Sequence, residues 1–466
     1  MAIEFGTDGW RAVIADEFTF SNFKVVVQAV ANYLQNNDQT ESGIFIGYDN
    51  RFLAEEFAQT AAEVLTANGI QAIVAKEALP TPVTAFTIQD NKLDGALMLT
   101  ASHNPASYQG IKFIPHYAGP ALPEITDQIE EEVVQVQESG EIHSCQSEEA
   151  AEIKEFNPKA DYLDHLQEMI DFSDQKLKIL ADPMYGPGAG YLTDIFADTE
   201  VEIEEINDYR DPLFGGGMPE PTEDELPELI DRVQTEDYDL GFALDGDADR
   251  FGIITEQGKY LSPNQVLFLL LDHLVESKGE TGGVVRTVAT THMLDKIAKE
   301  HDLDVFETPV GFKYVGELMM NKDIIIGGEE SGGLSIKGHI PEKDGLLACA
   351  LIAEMVMDRE EKLSVILEKV EKKYGKLISE RLDIECGSEE KPEVLERIKN
   401  FDVDEIAGYK VIEQITKDGM KVVLEDGSWC LMRPSGTEPL IRVYVETSDY
   451  ELMEQIQAEV REELQI

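Results

Sequence analysis

Basic residues are scarce in this sequence. Its 466 residues include 38 Lys and Arg against 93 Asp and Glu, a formal net charge of −55. Nucleic acids and anionic membranes bind to clusters of positive charge, so the composition predicts neither a nucleic-acid partner nor a membrane partner. An acidic surface of this kind is typical of a high-salt cytoplasm, where counterions relieve self-repulsion, or simply of an acid-rich protein at ordinary salt; both interpretations stay open.

Cysteine and long apolar runs are equally scarce. The four cysteines stand far apart, without the spacing of a metal or redox site, which is typical of a reduced chain. The most strongly apolar run, Val266–Leu271, ends at Asp272 and is too short to span a membrane. Nothing near the first residues resembles a signal peptide, so we expect a cytoplasmic protein.

The order of strand and helix patterns indicates an α/β fold. Helix patterns at Asn22–Asn36 and Ala54–Asn68 alternate with strand patterns at Gly43–Gly47 and Gln71–Ala75. A chain of this length is expected to form roughly three or four domains. The polar, acid-rich stretch Glu138–Glu155 indicates the first boundary.

A serine stands where a short apolar run ends. The run Gly95–Leu99 predicts a buried strand, and Asn104-Pro105 predicts a turn just beyond it. Ser102 therefore lies at the carboxyl end of a strand, the edge at which open α/β sheets bind their ligands. The local alternative is a turn serine that bonds its own backbone. We call residues 100–108 the serine loop.

Three carboxylates follow a second apolar strand pattern. Asp245, Asp247 and Asp249 alternate along an extended segment, so their side chains lie on one side and repel each other unless a cation binds between them. Oxygen ligands of this kind suit Mg²⁺. An EF-hand is excluded because Arg250 stands where that loop requires glycine; a solvated acidic turn is the remaining alternative. We call residues 245–250 the metal loop.

A third strand pattern, Ile324–Ile326, leads into a glycine-rich loop, residues 329–333. Glu329 and Ser331 in this loop can bond sugar hydroxyls, and its glycines permit close approach of a ligand. A plain strand-exit turn is the alternative. Upstream, Lys313 can reach a phosphate or sugar oxygen, although a lysine lying along the surface is an equal alternative.

The fourth segment concentrates scarce positive charge near the carboxyl end. Arg433 and Arg442 flank the turn residues Ser435, Gly436 and Thr437. Guanidinium groups pair bidentately with phosphate oxygens, and turn amides add donors, so the segment predicts a phosphate site. Its alternative is a surface turn with incidental arginines.

Together, in this order, the four segments resemble the α-D-phosphohexomutase superfamily, the phosphoglucomutases and phosphomannomutases. Phe5–Arg11 resembles the superfamily's opening motif, and Tyr108–Lys112 resembles the segment after its active serine. The resemblance runs from Phe5 to Arg442. It implies an α/β fold of three related mixed-sheet domains around a cleft, with a smaller carboxy-terminal helix-on-sheet domain. We place these domains at residues 1–150, 151–255, 256–372 and 373–466.

The resemblance also implies the chemistry. Ser102 would carry a phosphoryl group, and one Mg²⁺ per chain would be held by a phosphoserine oxygen and the three aspartates of the metal loop. Glucose 1,6-bisphosphate would be the intermediate and activator. Among the catalytic residues, Lys112 is our choice as general base, and Arg11 and Arg250 would stabilise charge. His103 would orient the serine loop or relay a proton, with a structural turn histidine as the alternative.

Many bacterial relatives that act on mannose phosphates or amino sugars carry histidine where this chain has Gly333. We therefore expect a phosphoglucomutase that binds a hexose phosphate, as a monomer or a dimer. The main alternative is a phosphomannomutase or a dual enzyme. More remote ones are a phosphoglucosamine mutase, a hexose bisphosphate synthase, a haloacid-dehalogenase-like phosphatase using Asp245 as nucleophile, and a non-catalytic sugar-phosphate sensor.

Overall fold

The computed structural model describes residue 3 and residues 9–143, 151–387, 391–434 and 440–465. The predictions made for Phe5–Asp8, for Cys145 and for Ser435, Gly436 and Thr437 lie outside these residues. Across the described part of the chain, no helix combines the length and apolarity that crossing a membrane requires.

The first unit is a six-stranded mixed sheet with helices packed on it. Its strands lie in the order β1-β5-β4-β2-β3-β6, and β2 pairs in parallel with both β3 and β4. The elements are β1 Trp10–Val13, α1 Phe20–Asn36, β2 Ile44–Tyr48, α2 Ala54–Ala67, β3 Ala72–Ala75, α3 Thr81–Asn91, β4 Gly95–Leu99, β5 Tyr108–Pro115, α4 Pro123–Ser139 and β6 Ile153–Phe156.

The second unit has a five-stranded mixed sheet in the order β11-β10-β9-β7-β8. Short 3₁₀ turns at Phe214–Gly216 and Glu223–Glu225 lie between β8 and α7. The elements are α5 Lys159–Met169, β7 Leu177–Asp182, α6 Tyr191–Ile195, β8 Val201–Glu205, α7 Pro227–Thr235, β9 Leu240–Leu244, β10 Phe251–Thr255 and β11 Tyr260–Leu261.

The third unit has a four-stranded sheet in the order β13-β12-β14-β15, in which only β15 is antiparallel to its neighbour. The helix α11 is buried almost all round, as its apolar sequence requires. The elements are α8 Pro263–Glu276, β12 Gly283–Thr287, α9 Met293–Glu300, β13 Val305–Thr308, α10 Phe312–Asn321, β14 Ile324–Gly328, β15 Leu334–Ile336, α11 Gly345–Arg359 and α12 Leu363–Tyr374.

The fourth unit is an antiparallel sheet in the order β16-β21-β20-β19-β18-β17, with helices on one face. It has its own apolar core, whereas the first three units share one large apolar cluster. The elements are β16 Ile378–Glu385, α13 Lys391–Lys399, β17 Glu405–Ile406, β18 Tyr409–Ile415, β19 Met420–Leu424, β20 Trp429–Pro434, β21 Leu440–Thr447 and α14 Tyr450–Leu464.

A buried lysine marks the junction of the third and fourth units. Lys421 of β19 donates from Nζ to the carbonyl of Val288 at 2.8 Å and lies 3.4 Å from Glu307 Oε2. Its Nζ stands 4.2 Å from the centroid of the Trp429 ring. The apolar residues around it come from both units, so the sheet of the fourth unit packs directly against the third unit.

The predicted α/β architecture is confirmed, with three mixed sheets and an antiparallel carboxy-terminal sheet. Beyond each of the predicted boundaries at residues 150, 255 and 372, the chain still contributes to the preceding unit. After the acid-rich stretch, the chain pairs β6 with β3 before it enters the second unit. Likewise, β11 pairs with β10 beyond residue 255, and α12 continues to Tyr374 because its apolar side still packs on the third unit.

Candidate active site

Ser102 lies at the end of the fully buried strand β4, in a tight turn. Its backbone has a φ of +49°, in the left-handed region that non-glycine residues seldom occupy. The backbone N–H donates to Thr100 Oγ1 at 2.8 Å, and the side-chain hydroxyl donates to Asp245 Oδ2 at 3.0 Å. The serine of the first unit thus meets the metal loop of the second.

The metal loop begins at the end of another fully buried strand, β9. Asp245, Asp247 and Asp249 are fully buried, and one carboxylate oxygen from each lies within 4.8 Å of the others. Gly246 permits the loop to approach the serine, since a Cβ there would lie 2.7 Å from the carbonyl oxygen of Ser102. The three predicted metal ligands therefore converge at Ser102.

Two lysines hold the second and third of these carboxylates. Lys112 Nζ lies 3.1 Å from Asp247 Oδ2 and 3.2 Å from Asp249 Oδ2. Lys343 Nζ lies 3.0 Å from Asp249 Oδ2. In the described part of the chain, the other oxygens, Asp247 Oδ1 and Asp249 Oδ1, are buried without a hydrogen-bond partner. Buried oxygens of this kind call for a cation, and an all-oxygen donor set fits Mg²⁺.

The protonation tendencies of the aspartates also favour a bound cation. Burial, with the charges of Asp247 and Asp249, raises the pKa of Asp245 well above its usual range. Burial would also raise the pKa of Asp247, but the Lys112 ammonium and the Thr81 hydroxyl outweigh it and hold that pKa low. Without an ion, three adjacent charged carboxylates are unfavourable, so one of them tends to stay protonated.

Arginines dominate the electrostatic environment of His103. The charge of Arg250, burial and the charge of Arg11 together lower the pKa of His103 to about 2. The imidazole is therefore neutral at ordinary pH, which suits an orienting role in the serine loop. Arg11 Nη1 donates to Asn104 Oδ1 at 2.8 Å, and Arg250 Nη1 lies 3.1 Å from Glu220 Oε1.

The glycine-rich loop forms a tight connection between β14 and β15. The N–H of Glu329 donates to the carbonyl of Gly333 at 2.9 Å, and Glu329 Oε1 accepts from the N–H of Gly311 at 2.9 Å. Ser331 stands in the turn itself. Lys313 lies in the first turn of α10, partly exposed, with its Nζ 5.5 Å from the centroid of the Tyr314 ring.

Gly333 makes room for a side chain that the sequence analysis did not single out. A Cβ at Gly333 would lie 2.4 Å from Cδ and 2.6 Å from Cγ of Lys343. The aliphatic stem of Lys343 therefore passes over the end of the glycine-rich loop on its way to Asp249. The loop and the metal site are coupled through this one lysine.

Arg433 and Arg442 are directly paired across β20 and β21. Arg433 Nη2 lies 3.2 Å from Asp418 Oδ2, and the same oxygen accepts from the N–H of Val310 in the third unit at 3.1 Å. Arg433 thus stands at the junction with the third unit, whereas Arg442 Nε lies 3.7 Å from Asp383 Oδ1 of its own unit. The turn between them, with Ser435, Gly436 and Thr437, lies outside the described residues.

Sequence reasoning missed three residues at this site. Arg51 donates to backbone carbonyls of the serine loop, Thr81 donates to Asp247 Oδ2 at 2.6 Å, and Lys343 pairs with Asp249. A signal was present for two of them. Arg51 is the third residue after the buried strand β2, and Lys343 stands two residues before the buried helix α11, so both lie near ends of apolar elements.

The predicted role of Lys112 as general base does not suit its surroundings. Its ammonium donates to two carboxylates and is buried, so it is held as a donor rather than offered as a proton acceptor. The position in β5, opposite Met98 of β4, aims the side chain at the metal loop. Orientation of Asp247 and Asp249 is the role that this geometry favours.

Models of four phosphoglucomutase/phosphomannomutase domains match the chain in succession. The alpha/beta/alpha domains I, II and III match residues 2–139, 160–258 and 262–374, and the C-terminal domain matches residues 384–463. Together they cover all four units of the fold.

Relatives match this chain over nearly the whole length of both sequences. A phosphoglucomutase/phosphomannomutase of Thermococcus kodakarensis is 28% identical, over 96% of this chain and 95% of its own. A Methanopyrus kandleri protein, named as a proposed phosphoglucosamine mutase, is 30% identical over 98% of this chain and 96% of its own. A solved Thermus thermophilus structure, named as a proposed phosphomannomutase, superposes with a TM-score of 0.87 at 30% identity, and the match covers all of both chains.

Proposed function

Because the chain belongs to the phosphoglucomutase/phosphomannomutase family, and is thus a phosphohexomutase of the isomerase class, we propose that it interconverts glucose 1-phosphate and glucose 6-phosphate. The observation that carries this proposal is the 3.0 Å hydrogen bond from Ser102 to Asp245 within the cluster of three buried aspartates. It supports the proposal because it joins the proposed phosphate carrier to the proposed metal ligands.

In the proposed reaction, Ser102 carries a phosphoryl group and gives it to the free hydroxyl of the sugar phosphate. The bond from phosphorus to Ser102 Oγ breaks as the sugar oxygen bonds to phosphorus, and the proton of the sugar hydroxyl is transferred, in the net reaction, to Ser102 Oγ. The resulting bisphosphate turns over and returns its other phosphate to Ser102. Arg433 and Arg442 would hold whichever phosphate is not reacting, because guanidinium groups bind phosphate in either orientation of the sugar.

Asp245, Asp247 and Asp249 would hold Mg²⁺, together with an oxygen of the phosphoserine. Structures of an Aspergillus fumigatus N-acetylphosphoglucosamine mutase are complexes with magnesium and, in a variant, with glucose 1,6-bisphosphate. When bound, Mg²⁺ supplies positive charge that stabilises the phosphoryl oxygens during transfer. Phosphoryl transfer through a loose transition state depends mainly on positioning and charge. Around Ser102, positive charge would come from Arg11 and Arg250, and positioning from the neutral His103.

The choice of glucose rests on Gly333. Glu329 and Ser331 would bond the 3- and 4-hydroxyls, which glucose and mannose share, with Lys313 nearby. Discrimination at C2 must come from elsewhere, and the stem of Lys343 fills the space that a side chain at position 333 would occupy. A hydrogen bond missing for one epimer costs roughly 1–3 kcal/mol when a buried partner is left unpaired. We therefore expect glucose 1-phosphate to have the higher kcat/KM.

Two measurements test the proposal. Intact mass after incubation with glucose 1,6-bisphosphate should increase by one phosphoryl group, and coupled assays should rank glucose 1-phosphate above mannose 1-phosphate and glucosamine 1-phosphate. Ser102→Ala should abolish both the added mass and turnover, whereas Ser107→Ala, in an exposed part of the same loop, should change neither.

Other outcomes would redirect the assignment. Equal or better turnover of mannose 1-phosphate would establish the phosphomannomutase or dual alternative and remove Gly333 as the informative position. Near-normal activity in Ser102→Ala would place the carrier elsewhere. A phosphorylated protein that loses its phosphoryl group on treatment with hydroxylamine would point to Asp245 as nucleophile. An aspartyl phosphate reacts with hydroxylamine, and a phosphoserine does not.

A further inference from the structure

Arg51 is buried directly beneath the serine loop, although it belongs to none of the four motifs. Its side chain is fully inaccessible to solvent. Nη2 donates to the carbonyls of Ser102 and Asn104, both at 2.6 Å. Nη1 donates to the carbonyls of Pro105 and Tyr108 at 2.8 and 3.0 Å. One guanidinium therefore bonds four carbonyls of a single loop.

The guanidinium is itself fixed in place on its other sides. Arg51 Nε lies 3.2 Å from Asp49 Oδ2, and Asp49 Oδ1 accepts from the N–H of Arg51 at 2.9 Å. The Phe214 ring, which comes from the second unit, lies 4.9 Å from the guanidinium carbon. A buried charge is tolerated only when it is paired and hydrogen-bonded, and Arg51 meets both conditions.

The serine loop needs such a support for two reasons. Its buried carbonyls must find donors, and a planar group with five N–H bonds can serve several of them at once. In addition, the left-handed backbone of Ser102 is strained and persists only where the surroundings enforce it. The bond from Arg51 to the carbonyl of Ser102 fixes the peptide from which the side chain points at Asp245.

We infer that Arg51 is a positioning residue for phosphoryl transfer, acting through the backbone of the serine loop rather than by contact with the sugar. This inference rests on the proposed function of Ser102. Without the guanidinium, the loop would relax, and the phosphoserine would no longer be aligned with the sugar hydroxyl. Water would then compete as acceptor: its oxygen bonds to phosphorus, the bond to Ser102 Oγ breaks, and Oγ takes up a proton.

Two variants distinguish the positioning role of Arg51 from the effect of its positive charge. Arg51→Met removes every donor, and Arg51→Lys keeps the charge beside Asp49 but cannot reproduce the planar fork that serves four carbonyls. We expect kcat to fall about 100-fold in both, the effect of a misplacement of about 1 Å. The KM for glucose 1-phosphate should stay within about twofold, because the sugar contacts are intact. The ratio of inorganic phosphate released to glucose 6-phosphate formed should rise.

Arg359→Met is the matched control. Arg359 is also largely buried and pairs with Asp272 at 2.8 Å, but it lies in the third unit on α11. Its loss should lower the thermal midpoint while leaving kcat per folded molecule and the phosphate ratio unchanged. Hydrogen exchange of residues 100–108 adds a readout that needs no substrate, and the Arg51 variants should exchange faster there.

The inference is overturned if either Arg51 variant keeps the wild-type kcat per folded molecule and the wild-type phosphate ratio. It is equally overturned if exchange in the serine loop is unchanged. Failure of the proposed function would look different, because Ser102→Ala would then remain active or wild-type protein would acquire no phosphoryl group, whatever the Arg51 variants do.

Discussion

Ser102 must satisfy a backbone requirement and a side-chain requirement at the same position. Its φ of +49° favours glycine, yet its hydroxyl bonds Asp245. Glycine would remove the strain together with the proposed phosphate carrier, and threonine would keep the hydroxyl but add a β-branch that positive φ tolerates poorly. Serine is the residue that meets both requirements, and Arg51 stabilises the conformation from the backbone side.

At the same scale, we predict that Asp247→Asn weakens Mg²⁺ binding by more than about tenfold, because one of three charged ligands is lost. Titration of Mg²⁺ should be followed both by activity and by the thermal midpoint, which needs no turnover. Asp239→Asn is the matched control, since Asp239 stands just before β9, at the end opposite to the metal loop, and bonds the N–H of Lys178. A Mg²⁺ dependence like that of wild type would contradict the metal assignment.

At the scale of elements, the glycine-rich loop and the segment before α11 act as a pair. Gly333→Ala should push Lys343 away from Asp249 and lower kcat/KM about tenfold, a typical coupling for residues in contact. In a Lys343→Ala background, the same substitution should have no further effect, because the obstructing stem is gone. Lys337→Ala, which removes an exposed lysine just beyond β15, should leave the effect of Gly333→Ala unchanged. If the losses of kcat/KM caused by Gly333→Ala and Lys343→Ala were additive, the two positions would act separately.

The positions of several strands could be predicted from sequence, because the signals are local. The apolar run Gly95–Leu99 is a strand with the predicted bounds, and the strand predicted at Gly43–Gly47 is shifted by one residue, to Ile44–Tyr48. The supporting residues could not be predicted. Arg51 meets carbonyls more than fifty positions away, and Lys343 meets a carboxylate in another unit, so their partners depend on how the sheets are placed together. Local patterns carry no information on that placement.

The junction of the third and fourth units gives a pH-dependent stability. Burial, with the charge of Arg286, lowers the pKa of Lys421 to about 8, from 10.5 for a free lysine. As pH falls from about 10.5 to 8, the unfolded chain takes up a proton that the folded chain does not, so the folded state loses stability. Below the folded pKa both states are protonated and the loss is complete. The contribution of Lys421 to the free energy of unfolding should therefore rise with pH between 8 and 10.5, by roughly 1 kcal/mol per unit. Buried groups such as Cys430, whose pKa burial raises to about 12, contribute with the opposite sign, so the comparison is between variant and wild type.

Lys421→Met should flatten this rise, as measured by denaturant unfolding at a series of pH values. The matched control is Lys410→Met, at an exposed position on the neighbouring strand β18. If Lys421→Met and wild type gave parallel curves between pH 8 and 10.5, the lysine would not be the titrating group.

At the scale of the whole molecule, the charge of −55 sets a dependence on salt. Raising KCl from 0.1 to 1 M shortens the Debye length from about 10 Å to about 3 Å and screens repulsion between like charges across the surface. We predict that the thermal midpoint and the refolding yield both increase over this range. Sucrose at the same osmolality is the control, because it stabilises the folded state by exclusion from the protein surface but does not screen charge. A midpoint that is flat or falls with KCl would contradict adaptation to high salt.

At the proposed Mg²⁺ site, Lys112 and Lys343 favour an order of assembly in which folding comes before metal binding. Three buried carboxylates would oppose folding, but Lys112 and Lys343 already offset much of their charge from within the chain. The polypeptide can therefore fold first and receive its ion afterwards. Such a protein can accumulate as a folded, inactive store when magnesium is limiting, and a chelator should switch it off reversibly without melting it.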